Sequence, residues 1–589
     1  MKLSKIYANK PFKNIEFNEG LNVILGKMSD RDNRGLDSHG LGKSLLLEVI
    51  DFLLLKKVKS KDKYFLTNKE WLSEYIFYAE LKLNSGKYLI IKRAVNPNTR
   101  IAFKLSRTKI KGFDTDIQDW DYPDIGIDKA ITLLNEYLNF SILKDWKYRK
   151  MINYFMRYQN DYTDVFKLSK FQGVHKDWKP MVFELLGFNG SIFYAKLELE
   201  EQYKKEKERL DALESENQIT SEDEDKVRGL IEIKSNEYES LSNEIDRFDF
   251  YTKDNEAKDK LVNEIEEQIK DANSEHYTLK YEIDKIEKSL ENELDTIDIQ
   301  EIKELYDEVE IMFPSELLIE YDKLVTFNKE ITEERNLFLV ENLKELKNQE
   351  LGIENTLKKL EEEKSLLFID ITEKTTYEKF KKYQKDLSRT QADIYILENK
   401  LTSINKMSKL QADLNTLTTE INKKIALLKK EILKQSHKNI RKFFNEFTMK
   451  TLNTPAILSV KINKNNNIEF EAQYQNEKEL IATDKAKGTT YKKILCSAFD
   501  TSLLRFYNQK SFYRFVYHDG ILDSLDIRIK ENYIEYIRTL VKEYDIQYII
   551  TAIESEINTL ANEYEIKRED VCLTLSDESD EELLFKKSF

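Results

Sequence analysis

The chain has 589 residues, of which 34% are charged, with 15 Gly and 6 Pro; that length exceeds one domain, and so few breakers among many Lys, Glu, Leu and Ile point to long helices. The net charge of −14 argues against a wholly basic nucleic-acid binder while leaving local basic patches open. Cys496 and Cys572 are the only cysteines, which excludes a disulfide framework or a cysteine zinc site, and with no signal peptide and no bilayer-length apolar run the expectation is a soluble, cytoplasmic protein.

Met1–Tyr7 and Ile15–Phe17 predict short strands around a turn at Asn9–Phe12. Leu21–Leu25 is an apolar run ending in Gly26. A polar loop follows, then Gly40-Leu41-Gly42-Lys43-Ser44, then an apolar helix from Leu45. Strand, glycine loop and helix suit a phosphate-binding loop. The glycines let backbone N–H groups close around phosphate oxygens, Lys43 reaches the β- and γ-phosphates, and Ser44 ligates Mg²⁺ at a helix N-terminus that favours anions. The usual spacing asks for glycine where this chain has Asp37. Gly26 is therefore read as the first glycine, displaced by the insertion Lys27–His39, whose Asp30, Arg31, Asp32, Arg34 and Asp37 are expected to help control the site. A chance Gly-Lys-Ser in a surface loop is the alternative. Further on, Tyr75–Leu83 and Tyr88–Arg93 predict a hairpin across Asn84-Ser85-Gly86, and Lys129–Leu138 a helix. The aromatic-rich Lys150–Tyr158 follows, and Met181–Phe188 closes an N-terminal α/β lobe over residues 1–192.

From Phe193 to Phe444 apolar residues recur at alternating three- and four-residue steps: Leu279, Ile283, Ile286 and Leu290; Ile353, Leu357 and Leu360; Leu414, Leu417, Ile421 and Leu428. That is a coiled-coil seam, interrupted near Asn217–Asp225 and Asp370–Thr376. The simplest layout is an antiparallel hairpin reversing near Met312-Phe313-Pro314-Ser315, within an apex at 295–320. Its arms of about 100 residues would reach roughly 150 Å if fully helical; a single long rod is the alternative.

After Phe444 a second α/β lobe, 445–589, is expected. Ile457–Ile462 and Ile468–Gln473 pair over Asn465-Asn466-Asn467, a polar loop spans Asp484–Tyr491, and Lys492–Tyr507 is an amphipathic helix. Phe512–His518 is an aromatic strand ending at Asp519. Lys530–Tyr544 is a helix, Ile546–Thr551 a strand, and the acidic run Asp577–Glu582 reads as a solvated tail segment. Asp519 stands where a Walker B carboxylate holds Mg²⁺ through water, although a strand-end Asp can also simply cap a loop. Asp526, in Asp523-Ser524-Leu525-Asp526, fits the Leu-Asp pair of ABC-type ATPases. Gly488-Thr489-Thr490, opening the Lys492 helix, occupies the place of their signature motif, facing the γ-phosphate of a partner subunit. Gln159 is the candidate for the glutamine that senses Mg²⁺ and attacking water, with Gln172 as its competitor.

These features together resemble the SMC-like ABC ATPases, in which Walker A precedes a coiled-coil hairpin and signature, Walker B and D-loop follow it. More narrowly, Gly40–Ser44 after an insertion, Asn153–Asp161 (NYFMRYQND), Tyr491–Asp500 (YKKILCSAFD) and His518–Asp526 (HDGILDSLD) resemble the bacterial YydD-like family, SMC-like subunits of Lamassu-type phage-defence operons. A stretch around Tyr306–Pro314 and Phe327, and the terminal Leu583–Phe589, also fit. The resemblance implies an α/β, split ABC-type head with a coiled-coil hairpin inserted, ATP and Mg²⁺ as cofactors, and a homodimer joined through ATP-bridged heads. It also implies double-stranded DNA as ligand, and a companion effector, a nuclease by expectation, with a small accessory subunit.

Two departures bear on hydrolysis. The Glu that polarises water after the Walker B Asp is replaced by Gly520, and Thr551-Ala552-Ile553 stands where a switch histidine belongs. Slow turnover is expected, with His518, Asp523 or Glu554 as substitutes. Two lysine-rich runs could track phosphates. One is Lys423, Lys424, Lys429, Lys430, Lys434, Lys438, Arg441 and Lys442; the other is Lys56, Lys57, Lys59, Lys61 and Lys63. Both are equally readable as solvated faces. A chromosome-maintenance or repair ATPase and a non-hydrolysing scaffold are the competing functions.

Overall fold

In the computed structural model the described residues are 1–27, 41–58, 69–142, 146–168, 175–247, 256–291, 315–367, 374–475 and 488–587. They divide into two compact units, Met1–Glu201 with Thr418–Phe589, and Gln202–Leu417.

The first unit is built on two large sheets. Strands β1 (Lys2–Ala8), β2 (Ile15–Glu16), β4 (Ile76–Lys82), β5 (Tyr88–Ala94), β6 (Arg100–Ser106) and β7 (Tyr122–Gly126) form a six-stranded antiparallel sheet in the order β2-β1-β4-β5-β6-β7. The β4–β5 hairpin turns where Asn84-Ser85-Gly86 predicts, with Gly86 at φ +81°. β6 and β7 extend the sheet beyond what the sequence pattern suggests.

The second sheet is parallel throughout and runs β13-β3-β12-β11-β8. It unites β3 (Leu21–Lys27) and β8 (Met156–Arg157) with β11 (Phe515–His518), β12 (Gln547–Ile553) and β13 (Val571–Ser576). Two strands come from the start of the chain and three from its end, interleaved. The runs LNVIL, FVY and YIITA are apolar on both faces, with only Asn22 and Thr551 polar, because interior parallel strands are covered on both sides, and nearly all of their residues are buried. One continuous core gathers residues from Met1 to Phe193 and from Leu428 to Phe585, so neither lobe has a core of its own. A separate hairpin, β9 (Ala456–Ile462) with β10 (Ile468–Tyr474), has the expected turn, with Asn466 at φ +58°.

The second unit is helical, with long helices at Gly190–Asn217 (entering it), Glu224–Asp246, Glu256–Glu291, Ser315–Leu367 and Lys374–Leu433 (leaving it). The seam is real: Leu279, Ile283 and Leu414 are buried, and Leu210 packs with Met407 and Leu414. The pairing is antiparallel, as Glu266–Lys364 (2.8 Å) and Glu287–Lys347 (2.6 Å) show. The single hairpin with arms of about 100 residues is corrected. Lys270 donates to Tyr238 (2.8 Å) and Lys285 pairs with Glu216 (3.2 Å). The Glu256–Glu291 helix therefore returns along the preceding ones, long before residue 312. Lys234–Asp393 (3.1 Å) then brings the last long helix beside the second. The helix break after Asn217 falls where the pattern lapses, and the proposed reversal at Met312–Pro314 lies outside the described residues.

The acidic run is also not a tail. Asp577–Glu582 is largely exposed, but it follows β13 and precedes Leu584 and Phe585, both fully buried. Phe585 sits edge-on to Phe12, Trp71, Tyr75 and Phe77, and Glu582 pairs with Lys13 (2.7 Å). No helix among the described residues is long and apolar enough to cross a membrane.

Candidate functional site

The carboxyl ends of β3, β11, β12 and β8 lie side by side, the edge at which open parallel sheets place their ligand groups. β3 ends at Gly26–Lys27, and the Lys43–Leu53 helix begins after Gly42, whose φ of +96° suits only glycine. A side chain there would also stand 2.7 Å from Leu584 Cβ, so the buried C-terminal segment packs directly on this loop. Lys43 Nζ folds back over Gly26, 3.4 Å from where a Cβ would be. Gly26 and Lys43 are thus together, while Gly40 and all of the insertion after Lys27 lie outside the described residues.

The Ser44 hydroxyl donates to Asp519 Oδ2 at 2.7 Å, across 475 positions of sequence. Thr551 Oγ1 donates to the other oxygen, Oδ1, at 2.8 Å and accepts from the Gly520 N–H at 2.7 Å. Burial pushes the Asp519 carboxyl above its ordinary range, opposed by the Ser44 and Thr551 hydroxyls. Thr551, which the sequence marked only as a missing histidine, is therefore the residue that orients both Asp519 and Gly520.

Gly520 has φ +62°. A Cβ there would meet Asp523 Oδ2 at 2.6 Å, Gln159 Cγ at 2.8 Å and Gln159 Nε2 at 3.0 Å. The carboxylate of Asp523 and the amide of Gln159 occupy the space where the side chain of residue 520 would begin. The Gly520–Ser524 loop is held from the Thr489–Phe506 helix. Lys493 Nζ donates to Gly520 O (2.6 Å) and Asp523 O (2.9 Å), and Thr490 Oγ1 donates to Ser524 O (3.1 Å). Burial lowers the Lys493 pKa. Gly488 caps that helix in extended conformation and its carbonyl accepts from Lys492 N; the Thr489 side chain lies outside the described residues. Asp526 caps the Ile527–Glu543 helix, accepting from Arg528 N at 3.0 Å.

The three substitutes separate. His518 is turned away from the carboxylate. Its Nε2 lies 3.1 Å from Asp500 Oδ2 and its Nδ1 2.8 Å from Tyr548 OH. It is fully buried, and desolvation lowers its pKa. A neutral ring donating to Asp500 and accepting from Tyr548 meets both contacts. Asp500 also takes Arg157 bidentately (2.5 and 2.9 Å), and neither has any solvent exposure. Glu554, beyond β12, pairs with Lys27 at 3.4 Å. Only Asp523 borders Gly520. Gln172 lies outside the described residues, as do Lys59, Lys61 and Lys63. Of the lysine runs, Lys57 pairs with Asp128 (2.5 Å) and Lys423 with Glu420 (2.7 Å) at the surface, and Lys434 with the buried Glu431 (2.5 Å).

Ser44, Asp519 and the Gln159 carbonyl offer hard oxygen donors of the kind Mg²⁺ takes, and Lys43 at Gly26 is placed for phosphate. A parallel sheet assembled from both ends of the chain, a Gly-Lys-Ser loop facing a strand-end aspartate, and a long helical insertion between them make a split α/β head of the kind that the resemblance to SMC-like ABC ATPases implies. A family model described as an uncharacterised protein conserved in bacteria (DUF2326) matches residues 445–589. The chain is 21% identical to the uncharacterised protein YydD of Bacillus subtilis (strain 168), over 92% of this chain and 91% of that one.

Among solved structures it is similar to the Smc head domain with a coiled coil and joint from Pyrococcus yayanosii (TM-score 0.35, 16% identity, 93% of this chain and 92% of that one). It is also similar to the Smc head domain with an extended coiled coil, bound to the C-terminal domain of ScpA, from Pyrococcus furiosus (TM-score 0.36, 13% identity, 98% of this chain and 93% of that one). At those scores the fold assignment stands on strand order and on the residues at the strand ends.

Proposed function

We propose that this chain is the SMC-like ATP-binding subunit of a bacterial anti-phage defence complex, dimerising on ATP, sensing foreign or broken DNA and controlling a separate effector. Residues 1–192 and 445–589 form the ATPase head, and 193–444 the helical arm. Gly26, Gly40, Gly42 and Lys43 hold the phosphates, Ser44, Asp519 and Gln159 take Mg²⁺, and Gly488 and Thr489 face the nucleotide of the partner head beside Asp526. Bound Mg²⁺ supplies charge neutralisation at the transferred phosphate. Asp523 takes the role of the absent glutamate, accepting a proton from attacking water, and turnover is slow because its carboxylate reaches the site from a loop.

The observation that carries the reading is the Ser44–Asp519 hydrogen bond, which joins the two Walker elements from opposite ends of the chain. The test compares wild type, Lys43→Ala and Asp519→Asn for ATP binding, dimerisation by light scattering, and hydrolysis with and without linear DNA. Equal behaviour of all three leaves only a scaffold. The defence role is tested separately by phage challenge of cells carrying the gene with its neighbours. Protection that survives Lys43→Ala contradicts it.

A further inference from the structure

The first unit holds a cavity of about 820 Å³ away from the phosphate loop, within the ~300–1,000 Å³ range of small-ligand sites. Its wall combines two kinds of group. Trp146 and Tyr194 meet edge to face with centroids 6.0 Å apart, above a floor that includes buried Leu55. Lys57, Lys147, Arg149 and Lys150 are four cations of its wall, of which Lys57 is paired with Asp128 (2.5 Å). Arg149 is committed to Asp51 (2.8 Å), but Lys150 is held only loosely by Asp177 (3.7 Å) and lies 5.1 Å from the Trp146 ring centroid. The ammonium of Lys147 is exposed and has no partner among the described residues.

We propose that this cavity binds a nucleobase together with its phosphate, either a free nucleotide or the end of a DNA strand. Indole and phenol rings give a stacking surface that accepts any base, and the lysines neutralise the phosphate. The site communicates with the phosphate loop's helix. Tyr148 OH and Arg149 both donate to Leu54 O (2.9 and 3.2 Å), the residue that caps Lys43–Leu53. It uses none of Lys43, Ser44 or Asp519, so its failure leaves the ATP reading standing.

The test uses full-length Lys43→Ala protein, which disables the phosphate loop, in Mg²⁺-free buffer. A 5′-phosphorylated, 3′-fluorescein-labelled dT12 is titrated by anisotropy, with dTMP and a circular single strand as competitors. Trp146→Ala and Lys147→Glu each weaken binding about tenfold or more, the range of one lost stacked base, while the exposed control Lys464→Glu does not. Competition by dTMP identifies a nucleotide site; competition by linear strands but not by the circle identifies a strand end. No saturable binding, or wild-type affinity in Lys147→Glu, overturns the proposal. Because Lys147 is exposed, that variant keeps its fold and decides the matter even where Trp146→Ala does not.

Discussion

Gly520→Ala tests the reading of the site most directly, because the structure gives both sources of its cost. The backbone at 520 is left-handed, φ +62°, which costs an alanine on the order of 1–2 kcal/mol. The new methyl lies 2.6 Å from Asp523 Oδ2 and 2.8 Å from Gln159 Cγ, and forcing those groups aside adds about 1–3 kcal/mol. A loss of about 2–5 kcal/mol is expected, read by urea denaturation followed by circular dichroism. Asp523→Ala, in a half-buried position, costs little alone. Combined with Gly520→Ala it removes one of the two clashes, so the double variant is more stable than the sum of the singles by at least ~0.5 kcal/mol. Wild-type stability in Gly520→Ala, or strict additivity, refutes the claim that Asp523 fills the space above residue 520. By the same geometry Gly520→Glu does not restore the missing glutamate and yields a protein less active than wild type.

Asp519→Asn stabilises the ATP-free protein at pH 7, seen as a higher Tm, while abolishing Mg²⁺-dependent ATP binding. The native carboxyl has a raised pKa, so the folded state holds its proton more tightly, and stability falls as pH rises from the unfolded value near ~4 through the native one. In Asp519→Asn that pH-dependence is flattened. Asp500→Asn leaves the fully buried Arg157 short of its counter-charge and costs about 3–5 kcal/mol, whereas Arg157→Leu/Asp500→Leu recovers a measurable part by calorimetry. Phe585→Ala costs about 3–5 kcal/mol and, because Leu584 abuts Gly42, also weakens nucleotide binding in equilibrium dialysis. Lys493→Met keeps Lys43-dependent ATP binding but lowers hydrolysis, since it frees the Gly520–Asp523 loop.

The sequence exposed the elements whose chemistry is local. Leu21–Leu25, Phe515–His518 and the Gly-Lys-Ser loop are continuous in the chain, so residue type alone marks them. It concealed what depends on distant partners. β13 carries Val571, Leu573 and Leu575 in the simple alternation of an edge strand, and nothing local says that it lies beside β3; the adjoining acidic run masked the burial of Leu584 and Phe585. The helical segment obeyed its heptads, but a heptad says that a helix has a partner and not which one. That is why a chain of helices that reverses three times read as one hairpin. Thr551 looked like a loss because a histidine was expected, and Lys493 resembled every other lysine until its ammonium was placed on two carbonyls.

Those two residues bear on how the site works. At each place where a hydrolysing group is absent, another group is built in and fully engaged. Thr551 uses both its donor and its acceptor capacity on Asp519 and Gly520. Lys493 fastens the loop that carries Asp523 to the same helix whose N-terminus is proposed to face the partner's nucleotide. His518 is held between Asp500 and Tyr548 and cannot swing toward the Asp519 carboxylate without giving up both buried contacts. A loop fixed to that helix moves with the helix, so in the proposed dimer engagement of a second head would set the position of Asp523. On the proposed function, that coupling would make hydrolysis a property of the assembled dimer, and it favours slow, regulated turnover over a vestigial site. If isolated heads, held monomeric by dilution, hydrolyse ATP at the dimer's rate per head, the coupling does not exist.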